Sequence, residues 1–271
     1  MKASRFDYSR PLDLSEAIVA LGDPSAKPVS GSQSLGPMLN LRLARPTLLV
    51  DVAKLPELRR VEQREDGIVF GAAITHAEFE DGAVPDPTPG FMRAIAHGIA
   101  YRAVRNRGTI GGSLAHADPA ADWPTTLCAL GAIVHLVGPD GRREMAVEDF
   151  ILGAFETALG PGEIIAGVFV PRTSTQARWG YRKSCRKLGE FAESMCAVLS
   201  DPARGVHRLA IGATEARQIV IKNAVEVIAD PDLLDGRLRE AGLAANPAAF
   251  RLHRTVIRQA IAALELESLP A

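Results

Sequence analysis

The chain has 271 residues, of which 47% are hydrophobic and 23% charged, an ordinary globular balance with enough length to bury a core. Its formal net charge of −1 supplies no global field toward nucleic acid or an anionic membrane. No apolar run approaches the roughly 20 residues a membrane span needs, and the opening MKASRFDYSRPLDL lacks the apolar centre of a secretory signal, so a cytoplasmic location is expected.

Taken in chain order, DLSEAIVAL (Asp13 to Leu21) predicts a first helix, with Asp13 as its N-cap and Glu16 three residues on. KPVSGSQSLGPMLNLRLARPTLLVDV then predicts strand, tight loop, helix and strand, with the strands around Val29 and from Leu48 to Val52. LRRVEQREDGIVFGAAIT reads as a hairpin turning at Glu65-Asp66-Gly67, and Thr75 with Glu78 forms a second capping box. GFMRAIAHGIA is a helix. After RNRGTIGGSLAHADPAAD, the segment WPTTLCALGA predicts another helix, capped by Asp122. AIVHLVGPDGRREMAV gives two strands joined at Pro139-Asp140-Gly141, and PGEIIAGVFVPR one more, closed by Pro171. Beyond about residue 172 the character changes: WGYRKSCRK and VHRLAIGAT read as strands, and residues 222–265 as mostly helical.

Three widely spaced cysteines, Cys128, Cys185 and Cys196, suit reduced thiols in or near the core better than a disulfide framework or an iron–sulfur site. Metal chemistry is therefore expected in a partner chain, and no metal ligands are assigned here. His116, Asp118 and Asp122 are too few for a defined metal site. Arg102, Arg105 and Arg107 read as a solvated basic face, with phosphate partners as the alternative.

Two glycine loops carry the chemistry. In SGSQSL, Gly31 stands where a strand turns into a helix, a place where positive φ is often needed. A helix opening near Leu35 would present free N–H groups to an anion, and Ser32, Gln33 and Ser34 add side-chain donors. In TIGGSLAHADPAAD, Gly111-Gly112 permits close backbone approach, while Thr109 and Ser113 offer hydroxyls to phosphate oxygens. Asp122 is placed to accept from sugar-type hydroxyls. Either loop alone is equally an ordinary polar turn; together they suggest a two-sided clamp on one pyrophosphate. Neither a Rossmann G-x-G-x-x-G nor a P-loop is present.

SGSQSLGPMLNLRLARPTLLVDV and RNRGTIGGSLAHADPAADWP resemble the two FAD loops of the medium subunits of molybdenum hydroxylases, the family of carbon monoxide dehydrogenase medium subunits and xanthine dehydrogenase flavin domains. GYRKSCRKLGEFAESMCAVL and AAFRLHRTVIRQAI resemble that family's C-terminal domain. The resemblance implies an α+β protein: two N-terminal α/β subdomains (1–57 and 58–172) forming a bipartite PCMH-type FAD site, then a C-terminal α+β domain (173–271). It implies FAD as cofactor, held by Ser30, Gly31, Ser32, Gln33, Ser34 and Leu35 and by Thr109, Ile110, Gly111, Gly112 and Ser113. Asp122 would bind flavin-side hydroxyls, Ile165 would lie near the isoalloxazine, and Tyr181 and Lys183 would lie close to the ring.

The same resemblance implies a flavoprotein oxidoreductase that works by electron transfer, with no catalytic acid or base in this chain. The partners it implies are a molybdenum-cofactor large subunit and a [2Fe–2S] small subunit, in a heterotrimer or a dimer of heterotrimers, with electrons leaving for an external acceptor. The chain departs from the family pattern at Ser32, where a second glycine is usual, at Glu190, and at EARQIVI after Thr214. Ser32 opens an alternative reading, a scaffold or nucleotide-sensing module without FAD. A stand-alone flavin oxidoreductase is a further alternative, but it lacks a convincing acid or base: His76, His97 and His116 read as surface or capping residues.

Overall fold

The computed structural model describes residues 2–266. Its first sheet is wholly parallel. β1 (Asp7–Ser9), α1 (Leu14–Leu21), β2 (Ala26–Val29), α2 (Leu35–Asn40) and β3 (Leu48–Asp51) build it, with β3 between β1 and β2. Asp13 caps α1 by accepting from the Glu16 N–H at 2.9 Å. The βαβ unit puts the β2–α2 loop at the carboxyl end of a parallel strand, where open α/β sheets bind ligands.

β4 (Val61–Gln63) and β5 (Gly67–Gly71) form the expected hairpin, and the Thr75/Glu78 capping box opens α3 (His76–Glu80). α4 (Phe91–Gly98), α5 (Arg102–Arg105), α6 (Ile110–His116) and α7 (Asp122–Leu130) follow. Next come β6 (Ile133–Gly138), β7 (Gly141–Ala146), α8 (Val147–Phe150), the short pair β8 (Ile151–Gly153) and β9 (Glu156–Thr157), and β10 (Ile164–Pro171). Strands β4-β5-β10-β6-β7 make a five-stranded antiparallel sheet in that order. Its inner face packs on α4, α6 and α7 around Phe70, Phe91, Trp123 and Phe150, all with 1% exposure or less. Aromatic bodies of this size supply the largest apolar burial per residue, roughly 2–3 kcal/mol each.

The C-terminal part has a four-stranded antiparallel sheet of β11 (Arg178–Ser184), β12 (Ser194–Asp201), β13 (Val206–Gly212) and β14 (Ile219–Ile221). α9 (Val225–Ala229), α10 (Leu234–Glu240) and α11 (Pro247–Leu266) follow. α11 lies flat on β11, so close that a Cβ at Gly180 would stand 2.0 Å from the Ala260 carbonyl oxygen. β12 is buried on both faces. Cys196 and Val198 meet the α11 side, while Ala197 and Leu199 join the main core beneath α7. That double burial explains why SMCAVLSD shows no alternation and was not expected as a strand. β1 and α6 are additional to the elements that the sequence predicts: the glycine loop TIGGSLAH closes into a helix from Ile110. Cys128 and Cys196 are buried and Cys185 is half-buried, all three as free thiols. No helix among the described residues is long and apolar enough to cross a membrane.

Candidate flavin site

Gly31 is glycine because two loops meet there. A Cβ at this position would lie 2.0 Å from the Arg107 carbonyl oxygen and 2.8 Å from Gly108 Cα, so the first loop packs backbone to backbone on the approach to the second. Positive φ, the reason expected for Gly31, falls one residue later: Ser32 stands at φ +59°. A left-handed residue followed by a helical turn points successive N–H groups the same way, into an anion-binding concavity. Among the described residues, no acceptor is bonded to the N–H groups of Ser32, Gln33, Ser34 or Leu35, while Gly36 and Met38 return theirs to Ser32 and Ser34. Gln33 turns its own amide back to the Gly31 carbonyl at 2.9 Å.

The second loop is built differently. Thr109 is the N-cap of α6, and its hydroxyl oxygen accepts from the Gly112 N–H at 3.1 Å. The Ile110 N–H donates to Ile74 O at 3.0 Å, Gly111 to Ala72 O at 2.9 Å, and Ser113 to Thr109 O at 3.0 Å. The backbone donors from Ile110 to Ser113 are therefore engaged within the fold, and hydroxyls are what that stretch presents. The Thr109 hydroxyl donates to Ser30 Oγ at 3.3 Å, joining the loops directly. Gly111 is needed because a Cβ there would reach 2.4 Å from Ala72 Cβ. At six and seven residues, α2 and α6 have weak macrodipoles, so individual N–H and O–H groups carry the anion chemistry in place of the helix-end field expected from the sequence.

Asp122, expected to cap α7, does not: Ala121 is the N-cap and Asp122 opens the first turn. Its Oδ1 accepts from the Tyr181 hydroxyl at 2.6 Å and from Lys183 Nζ at 2.7 Å, and the same ammonium reaches the Gly98 carbonyl at 2.9 Å. Burial, then the Asp122 charge, raises the Tyr181 pKa well above its ordinary value, so this phenol is a neutral donor. Asp122 Oδ2 bonds no described residue, and Asp122 lines a cavity of about 1020 Å³. The loops line the same cavity at Ser30–Leu35, Thr109 and Gly111–Ser113, and Ile165 reaches it from β10. Ile110 is fully buried in the core, and Tyr181 and Lys183 stand behind Asp122, reaching the cavity wall through its carboxylate.

Residues absent from the expectation also face this space. Phe155, 62% exposed and at φ +59°, stacks obliquely on His116 with ring centroids 5.1 Å apart. Ala100 lines it at φ +42°. Three strained non-glycine residues on one cavity wall are the kind of feature that clusters at ligand sites. His76, expected as a surface or capping residue, is only 6% exposed and accepts at Nδ1 from the Trp123 indole N–H at 2.9 Å. Arg102 and Arg105 depart from the solvated basic face: Arg105 is buried and paired with Glu80, and Arg102 bridges Glu80 and Asp81. Among the described residues, no group of three His, Cys, Asp or Glu is placed to hold a metal ion.

Residues 4–173 match the family described as the FAD binding domain in molybdopterin dehydrogenase. The chain belongs to that family. It is therefore an FAD-binding chain of the oxidoreductase class. The nicotine 6-hydroxylase medium subunit of Paenarthrobacter nicotinovorans is 33% identical over 245 residues, covering 89% of this chain and 86% of the relative. The carbon monoxide dehydrogenase medium chain of Hydrogenophaga pseudoflava is 36% identical over 197 residues, covering 72% of this chain and 69% of the relative. Among solved structures, the reconstituted CO dehydrogenase from Oligotropha carboxidovorans superposes with a TM-score of 0.89 at 27% identity, over 99% of this chain and 100% of that one. The FAD-binding family and the donor set agree: four free backbone N–H groups and the Ser30 and Ser113 hydroxyls suit a diphosphate, and an unpaired carboxylate oxygen suits polyol hydroxyls.

Proposed function

We propose that this chain is the flavin-bearing electron-transfer subunit of a molybdenum hydroxylase, with the diphosphate of FAD between the Ser30–Leu35 and Thr109–Ser113 loops. The observation that carries the reading is the row of unbonded N–H groups from Ser32 to Leu35, facing the same cavity as the Thr109 and Ser113 hydroxyls. Bound FAD supplies the redox chemistry, taking up electrons and releasing them to an acceptor. The chain's own residues orient and shield it. Backbone N–H groups hold the phosphates, and Asp122 accepts from the hydroxyls of the flavin side chain. Tyr181 and Lys183 fix the Asp122 carboxylate in place. Ile165 and Ile99 give the cavity an apolar wall that excludes water.

In this reading residues 1–57 and 58–172 clasp the cofactor and residues 173–271 brace them, delivering Tyr181 and Lys183 from β11 to Asp122 on α7. The relatives named as medium subunits or chains support a multi-subunit complex. A molybdenum-cofactor large subunit would oxidise substrate, a [2Fe–2S] small subunit would relay electrons to the flavin, and an external acceptor would remove them. A heterotrimer or a dimer of heterotrimers is proposed. No described side chain is assigned as a general acid or base.

Recovery of the tagged chain from its native host tests this. Heat-released FAD, together with co-purifying molybdenum and iron–sulfur chains, is the expected outcome. FAD with no partner chain would replace the proposal with a stand-alone flavoenzyme, and partner chains without FAD would leave a scaffold.

A further inference from the structure

His76 sits where the two loops meet, yet neither loop contains it. Its backbone N–H donates to the Gly108 carbonyl at 2.9 Å, which zips the start of α3 to the approach of the second loop. Its ring is pinned from behind, because the Trp123 indole N–H, a donor only, bonds Nδ1 at 2.9 Å. Nδ1 must then carry the lone pair and Nε2 the hydrogen. That Nε2–H has no partner among the described residues, although the side chain is more than nine-tenths buried and lines the cavity. A Cβ at Gly108 would lie 2.7 Å from Nε2, and Gly31 packs on Gly108 in turn. The imidazole edge therefore reaches the seam between the loops through a gap that two glycines keep open.

The Nε2–H is not sealed inside the protein: it opens on the cavity, so a ligand oxygen seated at the seam takes up the hydrogen bond that solvent otherwise accepts. We propose that His76 is a cofactor-binding residue: its Nε2–H, held in that tautomer by Trp123, donates to a phosphate oxygen of the dinucleotide at the loop seam. This rests on the diphosphate lying between the loops, as proposed above. Burial, and then the neighbouring Arg105 charge, push the ring's pKa down to about 3, so the donor stays neutral across the physiological range. A neutral donor there complements the N–H row of the first loop, and its direction is fixed by the indole.

The test uses the full chain stripped of flavin and titrated with FAD, ADP and riboflavin. Glutamine can place an amide N–H near the imidazole Nε2 position, whereas leucine fills the volume without a donor. His76→Leu is expected to weaken FAD and ADP by about 10- to 100-fold, the loss of a hydrogen bond to a charged group. His76→Gln should stay within about 3-fold of the parent for both, and riboflavin, which has no phosphate, should be indifferent to either change. Nitrogen-15 spectra of histidine-labelled protein should show the Nε2–H tautomer with and without ligand, with the Nε2 resonance shifting when ADP binds. Equal losses for the Leu and Gln variants, or an unmoved Nε2 resonance with ADP bound, would reduce His76 to a packing residue. Failure of the parent chain to bind FAD or ADP would overturn the two-loop site itself.

Discussion

Ser32 holds its backbone at φ +59°, a conformation that costs an L-residue about 1 kcal/mol and costs glycine almost nothing. Its hydroxyl leans toward Gly36, where an added Cβ would meet Ser32 Oγ at 3.1 Å, so the side chain lies over the first turn of α2. The groups that face an anion from this loop are backbone N–H groups, which Ser32→Gly would leave in place. That variant should raise the thermal midpoint of the flavin-free chain by about 2 °C, with FAD affinity held within about 3-fold by fluorescence titration. A larger loss of affinity would move the work from the backbone to the serine hydroxyl. Gly31 behaves oppositely, because its neighbour is the Arg107 carbonyl, which cannot swing aside as a side-chain end can. Gly31→Ala should destabilise the chain by about 3 kcal/mol and weaken FAD by at least about 100-fold as the loops part. Both positions stand out in the sequence, but the reason for Gly31 does not: a glycine in a β–α turn suggests a φ requirement, while contact with residue 107 is a tertiary fact that no local pattern contains.

The Asp122–Lys183–Tyr181 cluster ties an element of the N-terminal half, α7, to one of the C-terminal half, β11. The two ion-pair side chains are 12% and 9% exposed, so this is not a solvated surface bridge. Asp122→Asn would leave the Lys183 ammonium buried without a counter-charge, held by neutral carbonyl oxygens alone, at a cost of about 3–5 kcal/mol. Adding Lys183→Met removes the stranded charge and should recover most of that stability in urea unfolding. If Asp122 Oδ2 serves the cofactor, the double variant regains its fold and not its FAD affinity; recovery of both would make the carboxylate structural only. Element types were legible where periodicity and capping agreed, as in α1, the β4–β5 hairpin and the α3 capping box. They were hidden where burial on two faces erased alternation, as in β12, or where twin glycines masked a helix, as in α6. The cluster itself was legible only as three separate residues, since positions 59 and 61 apart in sequence meet through the docking of β11 on α7.

At the scale of the whole molecule, buried histidines and paired carboxylates make stability depend on pH in two stages. His76 is lowered to about 3 by burial and then Arg105, and burial likewise lowers His116, His135 and His253. Each binds its proton more readily in the unfolded chain, whose value is near 6.5, so unfolding takes up protons below that pH and the folded state loses ground as pH falls. Hydrogen bonds from Arg105 to Glu80 and from Arg143 to Glu163 hold those carboxylates below 4.5; their contribution is fully present above that pH and is lost as pH drops through their folded values. Between pH 6.5 and 4.5 the histidines therefore act largely alone, and His76 by itself accounts for about 3 kcal/mol of lost stability, at 1.36 kcal/mol per pH unit over that interval. Urea midpoints of the flavin-free chain, measured across this interval at fixed ionic strength, should fall steadily and then more steeply below pH 4.5. His76→Gln removes one titrating group without disturbing the carboxylates, so it should flatten the first stage and leave the second. A variant whose upper stage runs parallel to the parent would mean that the His76 ring takes up its proton as readily in the folded chain as in the unfolded one.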